Sequence, residues 1–308
     1  MDGNVCMGRW VNSCPMELRF PDRPELKLNQ ALRPRLMGIL NITPDSFSDG
    51  GRFASVEAAV DHARKMVDDG ADLIDVGGES TRPGAPNVDP AEQIERVLPV
   101  ISAIAAGLPE LPISIDTTSA GVAAAALDGG ASMINDISAG RHDPEILRLA
   151  AEHEVPIVLM HMQGQPATMQ QAPVYRDVVD EVEMFLRQRV GAAEAAGVAP
   201  SQVVIDPGIG FGKDLDHNLQ LLASLARFVA IGCPVLLGAS RKRFIASLGH
   251  GGEDPNDRVG GTCATTALAM QAGVQLVRVH DVDIHHQFCN VLNHVHDKNK
   301  KLSKCPNW

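Results

Sequence analysis

Eight short apolar runs in this chain each end on polar or titratable residues. Asn41 follows the first, Glu79, Ser80, Thr81 and Arg82 the second, Asp116 the third, and Asn135 and Asp136 the fourth. His161 follows the fifth, Asp206 the sixth, Ser240, Arg241 and Lys242 the seventh, and His280 and Asp281 the eighth. Taken singly, each has an ordinary reading. Asp116 ahead of Thr117-Thr118-Ser119 can cap a helix, Asn135 can serve a turn, and Lys242 and Arg243 can be surface charges where a helix starts. Taken together they point to one opening that collects them, because a polar group buried without a partner costs about 1–3 kcal/mol. The set divides by chemistry. Asp116, Asn135, Asp206 and Lys242 supply acceptors, an amide and a cation, which suits a flat heterocycle with guanidine-like donors and a ring carbonyl. Arg82, Arg278 and His280 supply positive character, with Thr81 and Ser240 as hydroxyl donors, which suits a phosphate or diphosphate.

Commoner motifs fail on inspection. Gly208-Ile209-Gly210-Phe211-Gly212-Lys213 resembles a phosphate loop, but a Walker motif requires Gly where Pro207 stands and Ser or Thr where Asp214 stands. Gly238-Ala239-Ser240-Arg241-Lys242 carries Lys at the second glycine of a nucleophile elbow, so Ser240 is not read as a hydrolase serine. His280, Asp281, Asp283, His285 and His286 could be a metal cluster, yet adjacent histidines cannot share one helical face where a helix should begin.

The elements that must position these groups are legible in the hydrophobic pattern. Residues 36–40, 73–76, 113–115, 133–134, 157–160, 203–205, 235–237 and 276–279 are near-continuous apolar runs, as expected of parallel strands buried on both faces. Between them, Val56, Ala59, Val60, Ala63, Met66 and Val67 share one helical face, as do Ile94, Val97, Leu98, Ile101 and Ile104, and Val178, Val182, Phe185 and Leu186. Gly70, Gly107, Gly129, Gly197 and Gly273 stand where helices should end in a left-handed residue. Eight strand-helix units predict an α/β fold, a single-domain (β/α)8 TIM barrel over residues 36–296, with a doubly wound open sheet as runner-up. Against the runner-up, no G-x-G-x-x-G follows the first strand. Residues 1–35 carry Pro15, Pro21, Pro24 and Pro34 and read as an irregular lead-in, a hairpin closing the barrel bottom being one form it could take. Residues 297–308 read as a basic, polar tail. The Gly- and Pro-rich loops at 43–51 and 77–86 fit segments that close over a substrate, or ordinary turns.

Composition narrows the function classes. With 27 Lys and Arg against 38 Asp and Glu, a net charge of −11 and 4% aromatics, the chain lacks the footprint of a nucleic-acid binder. Cations grouped at strand ends would then form a local anion site. No apolar run approaches the roughly 18 residues of a membrane helix, and the six scattered Cys form no C-x-x-C pair, so a soluble cytoplasmic protein with reduced thiols is expected.

At this point the chain resembles the dihydropteroate synthases, pterin-binding barrel enzymes of folate synthesis and sulfonamide targets. The matching runs are residues 37–51, from Met37-Gly38-Ile39-Leu40-Asn41 through Pro44-Asp45-Ser46-Phe47 to Gly50-Gly51, and 77–84, Gly77-Gly78-Glu79-Ser80-Thr81-Arg82-Pro83-Gly84. They continue at Ile115-Asp116-Thr117, Ile134-Asn135-Asp136-Ile137, Leu159-Met160-His161-Met162, Asp206-Pro207 through Lys213, Ser240-Arg241-Lys242 and Arg278-Val279-His280-Asp281, in family order. The resemblance implies transfer of a pterinylmethyl group from 6-hydroxymethyl-7,8-dihydropterin diphosphate to 4-aminobenzoate, with the C–O bond breaking first. It assigns Asp116, Asn135, Met160, Asp206, Lys242 and Arg278 to the pterin, and Asn41, Arg82, Ser240, Arg278 and His280 to the diphosphate, Asn41 also meeting Mg2+. Phe47, Thr81, Pro83, Phe211 and Lys242 fall around the aminobenzoate, with Asp116, Lys242, Arg278 and His280 as the catalytic set. A homodimer is implied, with small-molecule substrates and sulfonamide inhibitors as partners and neither nucleic acid nor membrane. The alternatives are a pterin-binding methyltransferase barrel and a catalytically silent pterin-binding paralogue.

Overall fold

The computed structural model describes residues 16–28, 33–42, 51–79, 88–165, 168–249 and 254–302. A two-stranded hairpin, β1 (Glu17–Phe20) and β2 (Arg23–Lys27), precedes an alternation of strand and helix. The series runs β3 (Arg35–Asn41), α1 (Gly51–Asp68), β4 (Leu73–Gly77), α2 (Pro90–Gly107), β5 (Ile113–Asp116), α3 (Ala120–Asp128), β6 (Met133–Asp136), α4 (Glu145–Glu152) and β7 (Ile157–Met160). It continues through α5 (Val178–Ala195), β8 (Val203–Asp206), α6 (Leu215–Ala223), α7 (Leu225–Val229), β9 (Leu236–Leu237), α8 (Arg243–Ala246), α9 (Val259–Ala272), β10 (Leu276–Val279) and α10 (Val282–Leu302). All eight apolar runs form strands. They pair in parallel in the order β8-β7-β6-β5-β4-β3-β10-β9, and a parallel bridge between Ile205 and Val235 joins β8 to β9 and closes the ring. This is the (β/α)8 TIM barrel, and the open-sheet runner-up falls with the closure.

Strand parity sorts the core into two parts. Leu36, Leu40, Ile74, Val76, Ile113, Ile115, Ile134, Ile157, Leu159, Val203, Ile205, Val277 and Val279 belong to one apolar cluster with the helices' buried faces, among them Ala59, Ala63, Val97, Ile101, Ile104, Val182 and Leu186. The alternate residues Met37, Leu73, Met133, Val158, Val204, Leu236 and Leu276 form a second cluster inside the barrel. Low in the barrel both faces of the strands are apolar, the buried Ser114 of β5 excepted, which explains the near-continuous hydrophobic runs. The hairpin contributes Leu18, Phe20 and Leu28 to the inner cluster. Gln202 holds it there by accepting from the Arg19 backbone N–H at 3.1 Å and donating to the Arg19 carbonyl at 2.6 Å.

Two local expectations change. Of the five glycines, Gly70, Gly197 and Gly273 have positive φ, but Gly129 stays right-handed at φ −78° and Gly130 takes the turn at φ +106°. Gly107 is the last residue of α2, whose cap is Leu108, its N–H bonded to the Ile104 carbonyl. In addition, α10 runs to Leu302, through the start of the segment read as a tail, in keeping with the helix propensity of its lysines.

Candidate active site

The same parity that fills the lower barrel with Leu, Met and Val continues upward into a mostly polar layer. Two positions above Leu73 stands Asp75, above Met133 Asn135, above Val158 Met160, above Val204 Asp206, and above Leu276 Arg278. Register brings the ends together: Asn41 pairs with Gly77, Gly77 with Asp116, and Asp116 with Asn135, so these four cross consecutive strands side by side. Gly77 leaves the space between its neighbours open, since a Cβ there would lie 3.5 Å from both Asn41 Oδ1 and Asp116 Cβ. Met160 pairs with Asp206 on the far side.

A charge network spans this layer. Arg278 donates from Nε to Asp75 Oδ2 at 2.6 Å and from one terminal nitrogen to Asp116 Oδ2 at 2.9 Å. Asn135 Nδ2 donates to the same Asp75 oxygen at 3.1 Å. Burial pushes the Asp116 carboxyl up to about 7; Arg278 opposes that rise, and Asp75, Asp136 and Glu79 add to it. Asp206 is likewise raised by burial, although it accepts the Gly208 backbone N–H at 2.7 Å and faces Lys242. Lys242 is lowered to about 7 by burial, against the pull of Asp206. Its Nζ donates to the Ile209 carbonyl and lies 4.1 Å from the centre of the Phe211 ring. Arg278 loses to burial but gains more from Asp75 and Asp116, so it is held above its ordinary value.

Ser240 and His280, expected at the diphosphate, converge on the neighbouring strands. Ser240 Oγ and His280 Nδ1 are 2.9 Å apart, and the His280 backbone N–H donates to Ser240 Oγ at 3.2 Å. The turn presenting them is forced. Arg241 has φ +57°, held by its N–H to Thr262 Oγ1 at 3.0 Å and its Nε to Asp281 at 3.0 Å. An L residue in this left-handed region is strained and persists where its surroundings over-determine it, as these contacts do.

The structure brings together Asn41, Asp116, Asn135, Met160, Asp206, Phe211, Ser240, Lys242, Arg278 and His280. Phe47, Thr81, Arg82 and Pro83, and most of the two glycine-rich loops, lie outside the described residues. The expectation that one opening collects every strand-end polar group is corrected by parity. Asp136 turns away to accept the N–H groups of Ser138 and Gly140, and Asp281 is taken up by Arg241. His161 packs edge-on against Phe185, 4.8 Å between ring centres, and its Nδ1 lies 2.9 Å from Lys213 Nζ. Burial first, then Lys213 and Arg141, lower its pKa to about 2, so it is neutral. The supposed cluster around His280 also dissolves: His285 is fully buried with Nδ1 on the Asp281 carbonyl, and no group of three metal-ligating side chains occurs among the described residues.

Two residues escaped the sequence reading. Asp75 sits inside an apolar run and not at its end, so only its inward parity with Gly77 could have marked it. Lys213, the last residue of the run that matches the family and resembles a phosphate loop, is 2% exposed and ties down the β8–α6 turn through the carbonyls of Gly208 and Phe211 at 2.9 and 3.0 Å.

The sequence matches the family model described as pterin binding enzyme over residues 37–280. A dihydropteroate synthase from Synechocystis sp. is 48% identical over 277 residues, 88% of this chain and 94% of that protein. The chain belongs to the dihydropteroate synthase family. Among solved structures, the Xanthomonas albilineans dihydropteroate synthase with 4-aminobenzoic acid superimposes with a TM-score of 0.84 at 48% identity, covering 92% of this chain and 99% of that one. The same enzyme in complex with 7,8-dihydropteroate gives 0.81 at 46% identity, with coverage of 91% and 98%. The Yersinia pestis dihydropteroate synthase, solved as a sulfonamide drug complex, gives 0.83 at 40% identity, with coverage of 92% and 100%. Membership of the dihydropteroate synthases makes this chain a transferase of folate biosynthesis.

Proposed function

We propose that the chain joins 6-hydroxymethyl-7,8-dihydropterin diphosphate to 4-aminobenzoate, releasing diphosphate, at the layer that holds Asp116, Asn135, Asp206, Lys242 and Arg278. The observation that carries this reading is the bridge from Arg278 to Asp116, which sets a ring-recognising carboxylate and a phosphate-class cation 2.9 Å apart in one cleft. The carboxylate of Asp206 and the amide of Asn135 take the ring's amino and N–H donors, and Lys242 faces its carbonyl. Met160 lines the floor.

An arylamine is a weak nucleophile, so the reaction is easier when the bond between the exocyclic methylene and the diphosphate oxygen breaks first. The electron pair leaves with diphosphate, and a cation delocalises into the ring. Asp116, as carboxylate, stabilises that cation, while Arg278, His280 and Ser240 hold the departing charge. Each such preorganised group is worth about 3–4 kcal/mol, or 10²–10³ in rate. The amine nitrogen then closes the C–N bond and gives its surplus proton to water, and no protein nucleophile is needed. Phe211 and Lys242 border the arylamine. The same subsite is where a sulfonamide would compete.

Mg2+ keeps most of its shell as water and phosphate oxygens and needs few protein ligands. The single exposed amide of Asn41, beside Asp116 at the rim, fits that demand, and the ion would neutralise diphosphate charge. A homodimer is part of the reading: Ile284, Val291 and Val295 on α10 and Leu268 on α9 are large apolar residues left exposed, as suits contact with a second copy. Cytoplasmic residence is supported by the free thiols of Cys233, Cys263 and Cys289.

Diphosphate release by the purified protein, measured with each substrate alone and with both, tests the reading. Release that needs both supports it. No release from folded, pterin-binding protein favours the silent paralogue, and methyl transfer from a methylated folate would replace the reading.

A further inference from the structure

Asp75 is 0% exposed, and the carboxylate is used in an unusual way. Its Oδ2 accepts from two groups of the cleft, Arg278 Nε and Asn135 Nδ2, while its Oδ1 is buried with no partner among the described residues. A carboxylate half unsatisfied in a barrel interior costs stability, and the inward position below it on the same strand is Leu73. Packing therefore does not account for an acid at this place.

We propose that Asp75 is a positioning residue that sets ligand specificity by fixing which end of the Asn135 amide faces the cleft. Because one Nδ2 hydrogen is given to Asp75, the amide cannot flip and its oxygen is held on the opposite side, where none of the described residues donates to it. The cleft is thereby presented with an acceptor, matched to a ring that carries an exocyclic amine. Without Asp75 the amide can rotate and offer N–H instead, matching a ring with an oxo group at that place. The same carboxylate holds the Arg278 guanidinium by Nε, while Asp116 takes a terminal nitrogen, so two carboxylates on adjacent strands fix its plane. The inference rests on the pterin-binding reading above and adds a residue outside the assigned contacts.

The test compares 6-hydroxymethylpterin, which has a 2-amino group, with 6-hydroxymethyllumazine, which has a 2-oxo group, by titration calorimetry on the full chain. The wild type should prefer the pterin. Asp75→Ala should narrow that preference at least fivefold, with Asp75→Leu, which keeps volume and removes the acceptor, standing in if circular dichroism shows the alanine variant unfolded. Asp75→Asn can still place an oxygen where Asn135 donates, so its preference should stay within twofold of wild type even though its affinity for both rings falls. Equal losses for both rings in Asp75→Ala or Asp75→Leu, or an Asp75→Asn that narrows as far as they do, would overturn the proposal and leave Asp75 as scaffold. Failure of the wild type to bind either ring would instead count against the pterin reading itself.

Discussion

The lower and upper halves of the barrel interior are built from the same strands, at the same parity, two residues apart, and the lower is apolar while the upper carries Asp75, Asn135, Asp206 and Arg278. Below, Met37, Leu73, Met133, Val158, Val204, Leu236 and Leu276 meet the hairpin's Leu18, Phe20 and Leu28 in an apolar plug. Above, Asp75, Asn135, Asp206 and Arg278 face one another with their charges only partly compensated. A buried aliphatic side chain stabilises by about 1.5–3 kcal/mol, whereas a buried carboxylate without full pairing costs stability. The lower half holds the ring of strands rigid enough for the upper half to keep groups in place that would otherwise be swapped for Leu.

That contrast can be broken from either side. The largest expected effect is in the upper half: Asp116→Asn should cut turnover about 10²–10³-fold while circular dichroism reports a folded protein. Unchanged kinetics would remove the anion from the account. In the lower half, Val204→Ala should cost about 1–3 kcal/mol in denaturant unfolding and leave pterin affinity within twofold. A large affinity loss there would show that the halves are not separable.

The pH dependence sharpens the comparison further. Asp116 is raised to about 7, so the folded state holds a proton that the unfolded state releases near the ordinary carboxylate range. Its contribution makes stability fall as pH rises from about 4 to about 7. Lys242 is lowered to about 7, so its contribution makes stability rise with pH from about 7 towards its ordinary range. Together they place a shallow minimum near neutrality, and Asp116→Asn should flatten the acid-side slope in melts recorded across pH. Turnover, needing the Asp116 anion and the Lys242 cation at once, should be narrow and centred near 7. The smallest effect concerns Phe211: removing its ring from Lys242 forfeits a cation–π contact of about 0.5–1 kcal/mol. Phe211→Leu should weaken 4-aminobenzoate or sulfonamide binding about two- to fivefold in calorimetry, with less change for pterin.

Most of the fold could be read from the chain because buried parallel strands and amphipathic helices leave opposite hydrophobic signatures, and all eight runs became strands. The polar run ends that the structure brings to one end of the barrel were legible for the same reason. What stayed hidden was parity. His161, Asp136 and Asp281 look like Asp116 or Asp206 in one dimension, yet one step along a strand turns a side chain through to the other face. Asp75 was lost in the opposite way, as a polar residue inside an apolar run, facing inward at the layer where the interior changes character. Gly70, Gly197 and Gly273 take the positive φ expected of them and Gly130 takes that expected of Gly129, since either of two adjacent glycines can make the turn, whereas α2 ends on Leu108 with no left-handed glycine.

On the proposed function, ring recognition and leaving-group stabilisation share one cleft. A crystal structure with the pterin diphosphate bound tests this most directly. It should show the ring between Asn135 and Asp206, Arg278 against it, and the diphosphate at Ser240 and His280. A ring or a diphosphate seated away from those residues would contradict it.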